Sequence, residues 1–223
     1  MAYGGVAPFH FLCALLSSPG WQTLENKKNM SDVLSKDSIR HEALLHRHRI
    51  DPRDESAEDA CENFFNAIKP SPEQSVAVYW PKDREFDTMP LLHELLTRGF
   101  TCALPVIQKG ERALKFARWQ DSDPLVEGPF EVMQPVVDDH TVWVDPDICV
   151  VPYLAFDRHG YRLGYGKGHY DATLKHYRMK KPVLAVGYGY GQQAVLFNLP
   201  IEPHDEKMDW IITPQKVMRF ETL

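Results

Sequence analysis

Apolar and polar positions recur along this chain with two periods, one helical and one extended. In Ser56–Ile68 the apolar residues fall at 57, 60, 61, 64, 65 and 68, a single helical stripe, and Ser56 stands where a cap is wanted. Met89–Arg98 repeats the pattern. Pro90 suits a first turn, Leu91, Leu92, Leu95 and Leu96 form the apolar face, and Gly99 ends the helix. An earlier helix is expected over about Ser31–Arg49, through KDSIRHEALLHRHR. Short β-type runs fall at 75–80, 100–105, 114–119, 147–152, 182–187 and 209–213. Several are continuously apolar, as strands covered on both faces are. Strands interleaved with helices predict a layered α/β domain with a mainly parallel sheet, whose ligands gather at loops beyond the strand ends.

Composition leaves that picture standing. The 223 residues suffice for one sizeable domain or two small ones, and 43% hydrophobic with 25% charged residues is ordinary for a globular protein. A net charge of −6 argues against a general nucleic-acid binder but leaves room for a local basic cluster around a small anion. Cys13, Cys61, Cys102 and Cys149 form no CxxC, so a zinc ribbon is unsupported. Three of them sit in apolar runs (CENFF, FTCAL, ICVV), the setting of buried, inert thiols in a reducing cytoplasm. VAPFHFLCALL has the length of a signal-peptide core, but no Lys or Arg precedes it, and a bilayer span takes about 20 apolar residues. Residues 1–30 therefore read as a poorly ordered extension ahead of one domain over 31–223. A cytoplasmic monomer is expected, with neither a membrane nor a nucleic acid as partner.

The chemistry concentrates in GYRLGYGKGHYD, residues 160–171, between a predicted strand and a predicted helix. A Walker P-loop would need glycine at Tyr161 and a hydroxyl residue at Gly168. The dinucleotide fingerprint would need glycine at His169. Both labels fail, yet the physics remains. Gly164, Gly166 and Gly168 let backbone amides converge on phosphate oxygens, Arg162 and Lys167 add charge, and the helix that follows presents its positive end. Asp171 is placed to hold a cation on that phosphate. A glycine-rich turn with a solvated charge pair has the same spacing, so spacing alone leaves the two open. YWPKDREFDT, residues 79–88, puts Glu85, Asp87 and Thr88 at another strand end. Asp87 or Thr88 is most simply the cap of the next helix, which leaves Glu85 without a structural task and free for a ligand. LPIEPHDEKMDWIIT adds a further acidic position, Asp205. HEALLH is no zinc motif, because His41 and His46 are five apart and diverge by about 140° around a helix. His41, His46 and His48 read as a solvated helix face. No local signature of a covalent nucleophile is present.

Taken together, FDRHGYRLGYGKGHYD, EFDT, KDSIR and LPIEPHDEKMDWIIT resemble, in order, the motifs of the 5-formyltetrahydrofolate cyclo-ligase (5,10-methenyltetrahydrofolate synthetase) family. The glycine motif of that family runs FD-x-x-G-x-R-L-G-x-G-x-G-Y-Y-D. The matches extend from about Lys36 to Thr213, nearly the whole chain. The resemblance implies a three-layer α/β/α sandwich, coenzyme-A-transferase-like, with ATP and Mg2+ as cofactors. It also implies that 5-formyltetrahydrofolate, with or without a polyglutamate tail, is cyclised to 5,10-methenyltetrahydrofolate. In the family's chemistry the formyl oxygen attacks the γ-phosphate of ATP, and N10 then closes the ring and expels phosphate.

By position, the resemblance gives Lys36 and Arg40 to the ATP phosphates. Arg162, Leu163, Gly164, Tyr165, Gly166, Lys167, Gly168, His169, Tyr170 and Asp171 would wrap the nucleotide, with Arg162 and Lys167 as the catalytic cations. Asp171 and Asp205 would hold magnesium, and Glu85 would hydrogen-bond the pterin. Trp80, Phe130 and Tyr170 would wall a flat heterocycle, or else pack as plain core. His169 departs from the family's usual tyrosine. Two rivals remain open at this stage: a folate- or nucleotide-binding relative without turnover, and a sugar-phosphate or coenzyme A ester enzyme on a similar scaffold.

Overall fold

The computed structural model describes residues 35–221. The extension expected over 1–30 and the helix start expected at Ser31 lie outside the described residues.

A seven-stranded sheet forms the middle layer. Its strands are β1 (Ser75–Ala77), β2 (Thr101–Val106), β3 (Lys115–Arg118), β6 (Ile148–Val151), β9 (Leu184–Tyr188), β10 (Trp210–Ile212) and β11 (Val217–Arg219). Their order is β11-β10-β9-β6-β1-β2-β3. The four central pairings are parallel, and only the two edges, β2–β3 and β10–β11, are antiparallel. The continuously apolar runs are the central strands: all four residues of β6 are buried, and both faces of the sheet are covered. Two short hairpins stand outside the sheet, β4 (Leu125–Glu127) with β5 (Met133–Pro135), and β7 (Ala155–Phe156) with β8 (Arg162–Leu163).

Among the described residues there are four α-helices: α1 (Lys36–Arg49), α2 (Ala57–Ile68), α3 (Met89–Thr97) and α4 (His169–Arg178), of which α2, α3 and α4 cover the sheet. The stripe read in α2 is the packed one, with Ala60, Cys61 and Phe64 buried and Ala57, Phe65 and Ile68 half-buried beside them. Ser56 Oγ accepts from Asp59 N at 3.1 Å, the expected cap. Leu91, Leu92 and Leu95 turn α3 onto the same side of the sheet, whereas Leu174 and Tyr177 turn α4 onto the other. This is the expected three-layer sandwich. Helix α1 seats Ile39 and Ala43 on a smaller cluster with Leu154, Ala155, Leu163, Val195 and Leu199. The FD turn between β7 and β8 is stapled by Asp157, a buried carboxylate that accepts from His159 N, Tyr161 N and Leu199 N at 2.9, 3.1 and 3.1 Å.

The strand bounds differ from the sequence reading mainly after β1. The run expected over 75–80 is a three-residue strand, and from Tyr79 the chain leaves the sheet. The cause is tertiary: Tyr79 Oη donates at 3.1 Å to the carbonyls of Phe86 and Tyr188, and Thr88 Oγ1 donates to Tyr79 O at 2.8 Å. These bonds hold the 79–88 segment as a loop over the strand ends.

Candidate active site

The chain builds β1 and β2 to one side, then returns to lay β6, β9 and β10 on the other side of β1. The crossovers diverge at the β1–β6 boundary, and a crevice opens there beyond the carboxyl ends of the strands. Tyr79 and Trp80 leave β1 into this crevice, Pro152 leaves β6, and Ile107 leaves β2. The loop between β8 and α4 closes it. The result is a cavity of about 420 Å³. All the residues singled out above as ligand-binding line it: Lys36, Arg40, Trp80, Glu85, Phe130, Arg162 to Asp171, and Asp205.

The glycine loop has the backbone its sequence calls for. Gly166 and Gly168 have φ of 92° and 67°, in the left-handed region that costs a side chain energy. Gly168 caps α4, whose helical N-terminus thus faces the loop. Arg40 reaches across from α1 to donate from Nε to Gly164 O at 3.1 Å and pairs with Asp37 on its own helix. Lys36, one turn earlier, ion-pairs with Asp205 and Glu202, each at 2.6 Å. Partial burial alone would depress its ammonium, but the bonds to the two carboxylates outweigh this and raise its pKa. Arg162 is almost fully buried. Its Nη1 donates to Glu206 O at 2.9 Å and lies 3.1 Å from Asp171 Oδ1, which also accepts from Glu206 N. Lys167 is different: its Nζ lies over the Phe130 ring, 5.4 Å from the centroid, with no carboxylate partner among the described residues.

The two carboxylates assigned to a metal therefore arrive already matched with cations, Asp171 with Arg162 and Asp205 with Lys36. Glu202 and His204 are the groups gathered beside Asp205, the three offering ligand atoms within 4.8 Å of one another; Asp171 is not a member of that group. His169, the departure from the motif, turns its Nδ1 to the carbonyl of Arg112 at 2.7 Å. A carbonyl only accepts, so this nitrogen carries the proton.

The opposite end of the cavity is aromatic and acidic. Trp80 packs edge-on against Trp119, Tyr170 is wedged between both main core clusters, and Phe130 is 52% exposed at the rim. Each of the three is thus both packing and wall. Glu85 does have a structural task, contrary to the sequence reading: its Oε2 accepts from Lys82 N at 2.9 Å, closing the turn. Asp87 Oδ1 caps α3 through Met89 N, while Thr88 spends its hydroxyl on Tyr79. Burial pushes the Glu85 carboxyl up from its ordinary value, against the Lys82 amide, the Arg47 charge and the Tyr165 hydroxyl. Of the histidines read as a solvated face of α1, His41 and His48 are exposed, whereas His46 is half-buried and bonds Gln192 O at 2.9 Å; Arg47, next to it, is buried.

Sequence reasoning missed Lys82, Glu202 and His204, which all line the cavity. Lys82 sits in the segment already singled out, and its Nζ binds Phe130 O and Glu131, tying the β4–β5 hairpin to the site. Adjacency to Glu85 and Asp205 was the available signal.

A doubly covered α/β sheet, with a crevice at its strand ends that is cationic and glycine-lined at one end and acidic and aromatic at the other, is the architecture of an α/β protein with a ligand site beyond the carboxyl ends of its strands. The family model of the 5-formyltetrahydrofolate cyclo-ligase family matches residues 32–214, and the chain belongs to this family of ligases. The 5-formyltetrahydrofolate cyclo-ligase of Escherichia coli (strain K12) is 34% identical over 149 residues, covering 66% of this chain and 81% of the relative. That of Mycolicibacterium smegmatis is 32% identical over 190 residues, 82% of this chain and 95% of the relative. Among solved structures, the 5,10-methenyltetrahydrofolate synthetase of Aquifex aeolicus superposes with a TM-score of 0.68 at 29% identity, over 84% of this chain and 93% of that one.

Proposed function

We propose that this chain catalyses the ATP- and Mg2+-dependent cyclisation of 5-formyltetrahydrofolate to 5,10-methenyltetrahydrofolate, with release of ADP and phosphate. The observation that carries the reading, beside family membership, is that the glycine loop and Glu85 line one cavity. Placed on separate surfaces, they would serve no common reaction.

The donor set suits a triphosphate. Lys36, Arg40, Lys82, Arg162 and Lys167 surround the cavity, and a Cβ built on Gly164 would meet no heavy atom within 4 Å. Backbone amides there are open to close approach. Asp171, and Asp205 with Glu202 beside it, offer hard oxygen donors of the kind Mg2+ takes. Bound ATP supplies the phosphoryl group that makes the formyl oxygen a leaving group, and Mg2+ neutralises charge on the triphosphate.

The chain's own residues position and neutralise. Lys36 and Arg40, from one face of α1, meet phosphate charge on one side, and Lys167 meets it from the loop. Arg162, braced by Asp171 and Glu206 O, presents a fixed charge with little to reorganise. Glu85, aimed by the Lys82 amide, accepts from the N–H edge of the pterin, while Trp80, Phe130 and Tyr170 flank its faces. No protein nucleophile is needed. The described thiols are buried, and burial pushes Cys61 up to about 11 and Cys102 and Cys149 to about 12. Free buried thiols also suit a reducing cytoplasm. Among the described residues no helix is long and apolar enough to cross a membrane.

The test is spectroscopic. Protein mixed with 5-formyltetrahydrofolate and Mg-ATP should develop methenyl absorbance in the near ultraviolet, with one phosphate released per turnover. Binding of both ligands without absorbance change would identify a non-catalytic relative, and turnover without ATP would refute the phosphorylation step.

A further inference from the structure

Arg47 is a large buried side chain whose chemistry the reaction leaves unused. It sits in the last turn of α1, 2% exposed, and does not line the cavity. Its Nη2 donates to Tyr165 Oη at 2.6 Å, and its guanidinium stands 5.3 Å from the centroid of the same ring. Nε and Nη1 have no hydrogen-bond partner. Burying an arginine with two unanswered N–H groups is costly, so something must hold it there.

Tyr165 lies between Gly164 and Gly166, at a position the glycine motif leaves open. Its ring is half exposed, but its hydroxyl accepts from Arg47 and stands on the same cavity wall as the Glu85 carboxylate, which it helps to stabilise as the anion. A chain of contacts thus runs from α1 through the glycine loop to the acidic end of the cavity.

We propose that Arg47 is a positioning residue for the reaction: through the Tyr165 hydroxyl it pins the glycine loop on the cavity wall it shares with Glu85. The role rests on the functional reading above for its consequence, though not for its geometry. The guanidinium holds the phenol, and the phenol holds the loop. Without Arg47, the phenol would be free to swing with a loop whose glycines resist nothing.

The groups that face Glu85 fix the sign of the pH effect. Arg47 and the Lys82 amide favour its anion, as does the Tyr165 hydroxyl, while Asp83 opposes it; the neutral phenols of Tyr79 and Tyr170 stand nearby. Removing the Arg47 charge therefore lets Glu85 protonate at higher pH.

The experiment compares Arg47→Met, Arg47→Lys and Tyr165→Phe with the wild-type chain. In ligand-free protein, hydrogen exchange at the Gly164–Gly168 amides should quicken about tenfold in Arg47→Met and Tyr165→Phe. With 5-formyltetrahydrofolate and Mg-ATP, the acid limb of kcat/KM should move to higher pH in Arg47→Met, less in Tyr165→Phe, and return most of the way in Arg47→Lys. The double variant should be no worse than the more damaged single one, because both act along one chain. Wild-type exchange in folded Tyr165→Phe, an unmoved acid limb, or additive losses would each overturn the proposal. Should Arg47→Met not fold, Tyr165→Phe decides alone, since it removes one oxygen from a partly exposed ring. Faster loop exchange in the two variants of a chain whose wild type shows no turnover would uphold the network and sink the reaction instead.

Discussion

Adding one methyl group at two glycines of the same loop separates what the loop does for the fold from what it does for a ligand. Gly166 has φ +92°, and a Cβ there would stand 3.1, 3.2 and 3.3 Å from Cζ, Nε and Nη1 of Arg40. A left-handed L-residue costs about 1–2 kcal/mol. Displacing the Arg40 guanidinium endangers its bond to Gly164 O, worth about 1 kcal/mol net at a half-buried site. Gly166→Ala should therefore lose about 2 kcal/mol, which for a chain of this size is a fall in Tm of about 4–8 °C. Gly164 is the control: its φ is not positive and its Cβ would meet nothing within 4 Å. Gly164→Ala should melt within about 2 °C of wild type, since surface changes away from strained sites stay within about 0.5 kcal/mol. Both should raise KM for ATP about tenfold, Gly164→Ala because its methyl takes up space left for a phosphate and Gly166→Ala because Arg40 moves. Differential scanning fluorimetry and steady-state kinetics read the two effects. Equal melting of the two variants would refute the conformational reasoning, and an unchanged KM in Gly164→Ala would show that the triphosphate lies elsewhere.

Lys167→Ala should lower kcat/KM for ATP by about 10²-fold with no change in Tm, because its ammonium pairs with no described carboxylate; unaltered kinetics would remove it from the site. Asp157→Ala strips the acceptor from three backbone N–H groups and should cost about 3 kcal/mol, or about 6–12 °C in Tm, measured by thermal melting. Glu85 gives a pH signature. Its folded pKa is raised by burial, so the native state holds the proton more tightly than the unfolded chain, and stability is lost as pH rises past the unfolded carboxylate value. Glu85→Gln should accordingly abolish turnover yet raise Tm at pH 8 and not at pH 4; a lower Tm at pH 8 would show that the charge is fully compensated.

Much of the fold could be read along the chain because neighbouring residues carry it. The stripe in α2, its Ser56 cap and the leucine face of α3 are local patterns, and each packs as its periodicity requires. The uninterrupted apolar runs became the parallel centre of the sheet for the same reason, being covered on both faces. The edges were not legible, since β3 and β11 differ from central strands only in what lies beside them. Nor was the early end of β1, which is set by bonds from Tyr79 to carbonyls seven and 109 residues away.

The candidate site divides along the same line. A run of glycines between cations, ending in an aspartate, specifies its own backbone and charge wherever it is placed, so the anion-binding character of residues 160–171 was visible in the amino acids alone. Only the folded chain could put Glu85 opposite that loop, pair Lys36 with Asp205 across 169 residues, and bury Arg47 out of a run of basic residues that reads as solvated. Those arrangements rest on contacts between distant segments, whose energies depend on burial and on partner geometry, and neither quantity is carried by a residue's neighbours in sequence.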